Sequence, residues 1–216
     1  MTGLVLDGVT IRAGGQTLVE ALDLAVASGE IVTLMGPSGA GKSSLLAWIA
    51  GTLPRGITGH GRLTLDDERL DHLPPEQRRL GLLLQEPLLC PHRTGAGTRV
   101  CAIPRHVKGR KARNAMAEAA LAQVGLDGLG DRDPRTLSGG QKSRAALARC
   151  LLAEPKALLL DEPFTSLDSE LRQEIRGFVL ERARATGLPV LLVTHDQGDA
   201  EAAAGRVVQP WGPSRS

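Results

Sequence analysis

The run Gly36-Pro37-Ser38-Gly39-Ala40-Gly41-Lys42-Ser43 constrains this chain more than any other stretch. It matches G-x-x-x-x-G-K-[ST], and it joins the apolar run Ile31–Met35, which reads as a strand, to Lys42–Ala50, which reads as a helix. In that setting the glycines let successive backbone N–H groups turn inward while the helix N-terminus adds positive partial charge, so the segment is a cradle for phosphates. Lys42 is placed to reach the β and γ phosphates of a nucleotide, Ser43 offers its hydroxyl to Mg2+, and Ser44 can add a phosphate hydrogen bond. A merely flexible glycine turn would share the composition, but it has no reason to link a strand to a helix.

Three further strands end in polar side chains. Ala157–Leu160 runs into Asp161 and Glu162, Pro189–Thr194 into His195, and Leu80–Leu84 into Gln85. Buried parallel strands deliver such residues to the carboxyl edge of the sheet, where open α/β folds bind their ligands. Asp161 is expected to hold Mg2+ through its water shell, and Glu162 to sit where an attacking water needs a base. His195 can reach a γ-phosphate, and Gln85 can ligate Mg2+ through its amide oxygen or orient water. Paired acids in an exposed turn, or a lone histidine, are commonplace. The three together beside a phosphate loop form a constellation.

Around these points the chain alternates strand and helix. Leu4–Ile11 and Thr17–Val26 read as strands about a Gly14-Gly15 turn, and Arg62–Leu65 as another. Between residues 86 and 135 strand-like runs vanish, and Gly109–Val124 reads as a helix with Ala112, Met116, Ala120 and Val124 spaced four apart, a helical insertion. Alternation resumes with a helix Gly140–Leu152 and another over Asp168–Ala185, whose Leu171, Ile175, Phe178 and Arg182 are expected on one face. The fold class is therefore α/β, a mostly parallel sheet with an N-terminal antiparallel β subdomain and a helical insertion. In 216 residues this suits a single domain: a core over about 1–85 and 136–208, a helical subdomain over about 86–135, and a frayed tail over 209–216.

Composition excludes more than it suggests. Lys and Arg total 26 against 24 Asp and Glu, a net charge of +2, so no strong field for nucleic acid is present and no nucleic-acid partner is expected. Apolar runs such as Val190–Val193 fall far short of the roughly 18–20 residues of a spanning helix, and Met1–Asp7 lacks the features of a secretory leader. Cytoplasmic residence follows as the expectation. Cys90, Cys101 and Cys150 are odd in number and widely spaced, fitting neither a disulfide framework nor a zinc site. The local basic cluster of Arg105, His106, Lys108, Arg110, Lys111 and Arg113 is read as a solvated helix face, with contact to anionic lipid headgroups as the alternative.

Leu137-Ser138-Gly139-Gly140-Gln141 follows the helical insertion and precedes the acidic strand, and there it resembles the signature of the ABC ATPases, the nucleotide-binding subunits of ABC transporters. The resemblance covers nearly the whole chain: a Walker A loop at 36–43, the Q-loop Gln85, the signature at 137–141, a Walker B strand ending in Asp161-Glu162, a D-loop Ser166-Leu167-Asp168 and a switch His195. It implies the P-loop ABC ATPase fold, Mg-ATP as ligand, and two copies clamping two nucleotides, each site joining one copy's Walker A loop to the other's signature. Ser138 and the Gly139 and Gly140 N–H groups, heading a helix, would form that second anion cradle, with Gln141 beside them. The resemblance further implies that Glu162 polarises water, His195 steadies the γ-phosphate, and Asp168 couples the two sites; a plain helix N-cap is the other reading of Asp168.

Residues 85–94, Gln-Glu-Pro-Leu-Leu-Cys-Pro-His-Arg-Thr, are similar to the stretch that abuts the permease in bacterial importers of the sulfate, ferric-ion, polyamine and thiamine type. Partners implied are transmembrane permease subunits with an extracytoplasmic solute-binding protein, and a place on the inner face of the cell membrane. An exporter-type or a non-transport ABC ATPase stands as the alternative. One departure is plain: Ala13 lies where these cassettes carry an aromatic residue to stack on adenine, so discrimination between bases is expected to be weak, with the Arg12 guanidinium as the remaining platform.

Overall fold

The computed structural model describes residues 3–84, 103–104, 106–130 and 132–211. Two compact units divide the chain. Met1–Leu82, Lys156–Glu162 and Arg176–Ser216 form the first, and Leu83–Pro155 with Pro163–Ile175 form the second.

The first unit holds two sheets. β1 (Gly3–Ala13) and β2 (Gln16–Ala27) are antiparallel about the Gly14-Gly15 turn, with Leu4 opposite Val26 and Ala13 opposite Gln16. β4 (Ile57–Leu65) pairs on the other side of β1, and the two-residue β5 (Glu68–Arg69) ends the order β2-β1-β4-β5. β4 is longer than the expected Arg62–Leu65 because β1 templates it through Ala13 opposite Ile57, across residues whose own composition gives no strand signal. The second sheet has the order β6-β7-β8-β3-β9, from β6 (Leu80–Leu83), β7 (Ala157–Asp161), β8 (Val190–Val193), β3 (Ile31–Leu34) and β9 (Arg206–Val208). β3 and β7 run parallel to β8, and β9 parallel to β3.

Every residue of β3, β7 and β8 is buried, so these strands are covered on both faces and read as unbroken apolar runs rather than as alternation. Parity sorts them. Val32, Leu34, Ala157, Leu159, Leu191 and Val193 face one core with Leu45, Leu46 and Ile49 of α1 (Lys42–Ala50) and with Leu4, Leu6, Val9 and Ile11 of β1. Helix α1 is thus sandwiched between a parallel and an antiparallel sheet, its root held by that core.

The second unit is helical where it is described. α2 (Arg110–Ala122) packs on α3 (Gly139–Leu152), and Ile103, Ala117 and Leu152 form a small core there. On α2 Ala117 and Leu121 are buried; of the expected face Met116 and Ala120 pack against this core and Val124, just past the helix, is buried, while Ala112 is exposed. The helix carrying the signature belongs by its packing to this unit, whereas the boundary expected near residue 136 placed it with the core. α4 (Ser169–Ala185) crosses the division, burying Ile175, Val179, Leu180 and Ala183 while Arg182 is exposed. α5 (Gln197–Ala203) follows β8.

Candidate active site

Between β3 and α1 the chain turns through Gly39 and Gly41, at φ 78° and 96°, a region that only glycine enters without penalty. The Gly41 carbonyl accepts the Leu45 N–H at 2.8 Å, which closes the first turn of α1. Lys42 is only 8% exposed, and its ammonium donates to the Gly36 and Pro37 carbonyls, both at 2.7 Å. A buried charge needs such partners. Carbonyls of the loop satisfy it here, and an anion seated in the loop would compete for the same protons. Ser38, Gly39 and Ser43 are exposed, with Ala40 and Ser44 half-buried.

The acids stand one strand away from β8. Asp161, 3% exposed at the end of β7, stands beside the Ser43 hydroxyl. Desolvation pushes its carboxyl above the usual range; Glu162 adds to the rise, while the Ser43 hydroxyl and Lys42 oppose it. Glu162 has φ 47°, a left-handed conformation that costs a non-glycine residue roughly 1 kcal/mol, and its N–H is tied to the Val193 carbonyl at 2.9 Å. That turn swings its side chain off the strand axis. Its carboxylate meets Nδ1 of His195 at 2.9 Å, with the histidine side chain 62% exposed and the glutamate 14%. The sequence-predicted Lys42, Ser43, Asp161, Glu162 and His195 are therefore gathered at the carboxyl ends of β3, β7 and β8.

Two supports were not legible in the sequence. Asp199, 1% exposed, binds the Arg176 guanidinium at 3.0 Å and the Thr194 hydroxyl at 3.3 Å, and that hydroxyl accepts the Asp196 N–H at 3.0 Å. His195 sits between the two clamped residues, so its loop is held from both sides. Arg78, 7% exposed, donates to the carbonyls of Trp48 and Ile49 at the end of α1, and to those of Asp71 and Leu73. A cation at a helix C-terminus is favourably placed. No local pattern signals either residue, because each finds its partners far along the chain.

In the second unit the signature heads α3. The Ser138 hydroxyl accepts the Gln141 N–H at 3.2 Å and the Gln141 side chain accepts the Ser138 N–H at 3.0 Å, a capping box. Gln141 is thus engaged by its own helix. Ser138 and Gly139 remain exposed and Gly140 half-buried, leaving the helix tip open. The Ser143 and Ser166 hydroxyls meet at 2.7 Å, tying this helix to the loop that leads to Asp168. Asp168 caps α4, accepting the Leu171 N–H at 3.1 Å, as its bland reading required.

Gln85, the proline-rich stretch to residue 94, Cys90, Cys101 and Arg105 lie outside the described residues. Within the basic cluster, Arg113 donates to the carbonyls of Ile103, Pro104 and Val107, which makes it a structural pin rather than a free cation. Ala13 ends β1 half-buried beside the exposed Arg12. Among the described residues no group of three or more His, Cys, Asp and Glu side chains could hold a metal by itself, and no helix is long and apolar enough to cross a membrane. The oxygen-only pair Ser43 and Asp161 suits Mg2+, which takes one or two protein ligands and completes its shell with phosphate and water. A divalent cation there would also offset the cost of burying the Asp161 charge.

Comparison with known proteins follows the same lines. A family described as ABC transporter matches residues 19–165. The chain is 45% identical to an uncharacterized ABC transporter ATP-binding protein, YnjD of Escherichia coli, over 92% of this chain and 91% of that one. It is 44% identical to the thiamine import ATP-binding protein ThiQ of Cereibacter sphaeroides, over 95% of this chain and 87% of that one. With the Fe(3+) ions import ATP-binding protein FbpC of Streptomyces avermitilis the identity is 40% over 95% of this chain, which spans 59% of that relative's length. Among solved structures, the dimeric post-hydrolysis state of an ATP-binding cassette bound to ADP and Pi superposes with a TM-score of 0.84 at 27% identity, over 98% of this chain and 97% of that one.

Proposed function

This chain belongs to the ABC transporter family of ATP-binding subunits, and from that premise we propose that it hydrolyses Mg-ATP between two copies of itself to drive solute uptake through separate permease subunits. The observation that carries the reading is the gathering of Lys42, the Ser43–Asp161 pair and the Glu162–His195 pair at one sheet edge. The import subunits for thiamine and Fe(3+) among its relatives support uptake rather than export. The whole chain is taken to act as one cassette on the cytoplasmic face of the membrane, together with a solute-binding protein.

In this reading ATP enters the cradle of residues 36–43, and Lys42 exchanges the Gly36 and Pro37 carbonyls for the outer phosphates. Ser43 and Asp161, with Gln85, would hold Mg2+, which neutralises charge between the phosphates. A water attacks the γ-phosphorus, its oxygen forming the new P–O bond as the bond to the β–γ bridging oxygen breaks; Glu162 takes the water's proton and ADP departs with the bridging oxygen. His195 holds the Glu162 carboxylate in register and would exchange that contact for a γ-phosphate oxygen. Ser138, Gly139 and Gly140 of a second copy would close over the same phosphate, an assignment supported by the exposure of Ser138 and Gly139 at a capped helix tip. Asp168 would couple the two sites from the start of α4.

Replacing Glu162 by Gln removes the base and leaves the binding groups. Light scattering or sedimentation with saturating Mg-ATP is expected to show a stable dimer whose hydrolysis has fallen by about 10²–10⁴-fold. GTP is expected to trap the same dimer, since Ala13 offers no ring to the base. Unchanged turnover in this variant removes Glu162 from the role, and a persistent monomer, alone and with its permease, removes the shared site.

A further inference from the structure

Trp211 follows β9 and returns to the phosphate loop from the far end of the chain. Its indole N–H donates to the Leu18 carbonyl of β2 at 3.1 Å. The ring lies so close to the loop that a Cβ built on Gly36 would be 2.5 Å from its Cε3 and 3.1 Å from its Cζ3, so only glycine is accommodated there. Leu18 in turn presses on the other end of the loop, its Cβ only 2.8 Å from a Cβ built on Gly41. One connected unit, an indole and a leucine, thus touches both glycines that bracket the cradle. The Gly36 carbonyl beneath the ring is also one of the two that hold the Lys42 ammonium.

We propose that Trp211 is a positioning residue for nucleotide binding: it braces Gly36 directly and Gly41 through Leu18, keeping the loop in the shape that receives phosphates. This rests on the reading of residues 36–43 as the ATP cradle. The physical reason is preorganisation. A glycine-rich loop has many conformations to lose on binding, and a packed ring that removes them beforehand lowers the cost of seating the ligand without touching the bond that breaks. The effect therefore falls on affinity rather than on turnover. Because Lys42 must leave the Gly36 carbonyl as phosphates arrive, the peptide under the indole changes its electrostatics on binding, and the indole reports it.

The test compares wild-type protein with Trp211→Ala and Trp211→Phe by steady-state hydrolysis and by intrinsic fluorescence during Mg-ATP titration. The Ala variant is expected to raise KM for ATP about tenfold with kcat within about twofold, and the Phe variant, which keeps a ring but loses the N–H donor, to recover KM to within about threefold. Wild-type emission is expected to change on saturation, and that change is expected to vanish in Trp211→Phe, where the buried Trp48 is the remaining indole. An unchanged KM in the Ala variant overturns the proposal, as does an emission change that persists in Trp211→Phe. If Trp211→Ala does not fold, the Phe variant decides alone through its KM and its spectrum. Failure of the wild type to bind Mg-ATP at all strikes instead at the reading of the cradle.

Discussion

At the scale of single residues the site stores cost where its chemistry needs it. Asp161 is buried without a full complement of positive partners, and desolvation raises its pKa in the folded state. A carboxyl so raised binds its proton more tightly folded than unfolded. Its contribution to stability is present below the ordinary carboxylate pKa and is lost as pH climbs through the raised value, so at neutral pH the charge is a liability. Replacing Asp161 by Asn keeps the shape of the side chain and removes the charge. The variant is expected to melt roughly 2–4 °C higher than the wild type at pH 7, with the gap closing toward pH 4, while hydrolysis is lost. Calorimetry across that range checks it; a lower Tm at pH 7 rejects the account. Glu162 carries a second cost, its positive φ, and the turn it makes brings its carboxylate to His195.

At the scale of elements, local signals decided where helices begin and end, and distant ones decided which face is buried. α1 spans Lys42–Ala50 as expected, because the loop before it and Gly51 after it mark both ends in the sequence. The stripe expected on α2 was drawn at spacings of four, and each four-residue step overshoots a full turn by about 40°, so three steps walk about 120° around the helix. That drift leaves Ala112 exposed at one end of the stripe while Val124 at the other is buried; on α4, Arg182 is exposed and Val179 and Ala183 beside it are buried. The C-terminus of α1 depends on Arg78, whose guanidinium serves four carbonyls. Arg78→Ala takes this donor from all four, leaving the Trp48 carbonyl the Gly51 N–H, and is expected to cost about 3 kcal/mol, or roughly 6–12 °C in Tm. Arg78→Lys, which cannot reproduce the planar fork, should recover only part of it. Thermal melts of the two variants decide the matter, and an Ala variant as stable as the wild type would show the cap to be idle.

At the scale of the whole molecule, the parallel sheet's buried strands place every site residue of the first unit, so the site and the core stand or fall together. Cys150 offers a probe for the second unit. It is 7% exposed on α3, and burial raises its thiol to about 11, so the native protein at pH 8 presents almost no thiolate there. Modification by a thiol reagent, followed by peptide mapping, is expected to be suppressed by about 10³-fold in the native protein and to appear with unfolding. Rapid labelling of Cys150 in the native protein would mean that the unit opens on its own.

The sequence by itself determined the family, the glycine-rich loop between strand and helix, the acids and histidine at the strand ends and the order in which they come, because those motifs are contiguous and depend on local backbone chemistry. Tertiary structure decided what a single segment cannot encode. It joined Glu162 to His195 and Ser43 to Asp161, clamped the His195 loop through Arg176 and Asp199, capped α1 with Arg78, grouped the signature helix with the insertion and laid Trp211 on Gly36. Each of those contacts links residues far apart along the chain, and no local periodicity carries information about a partner that only the closed sheet brings within reach.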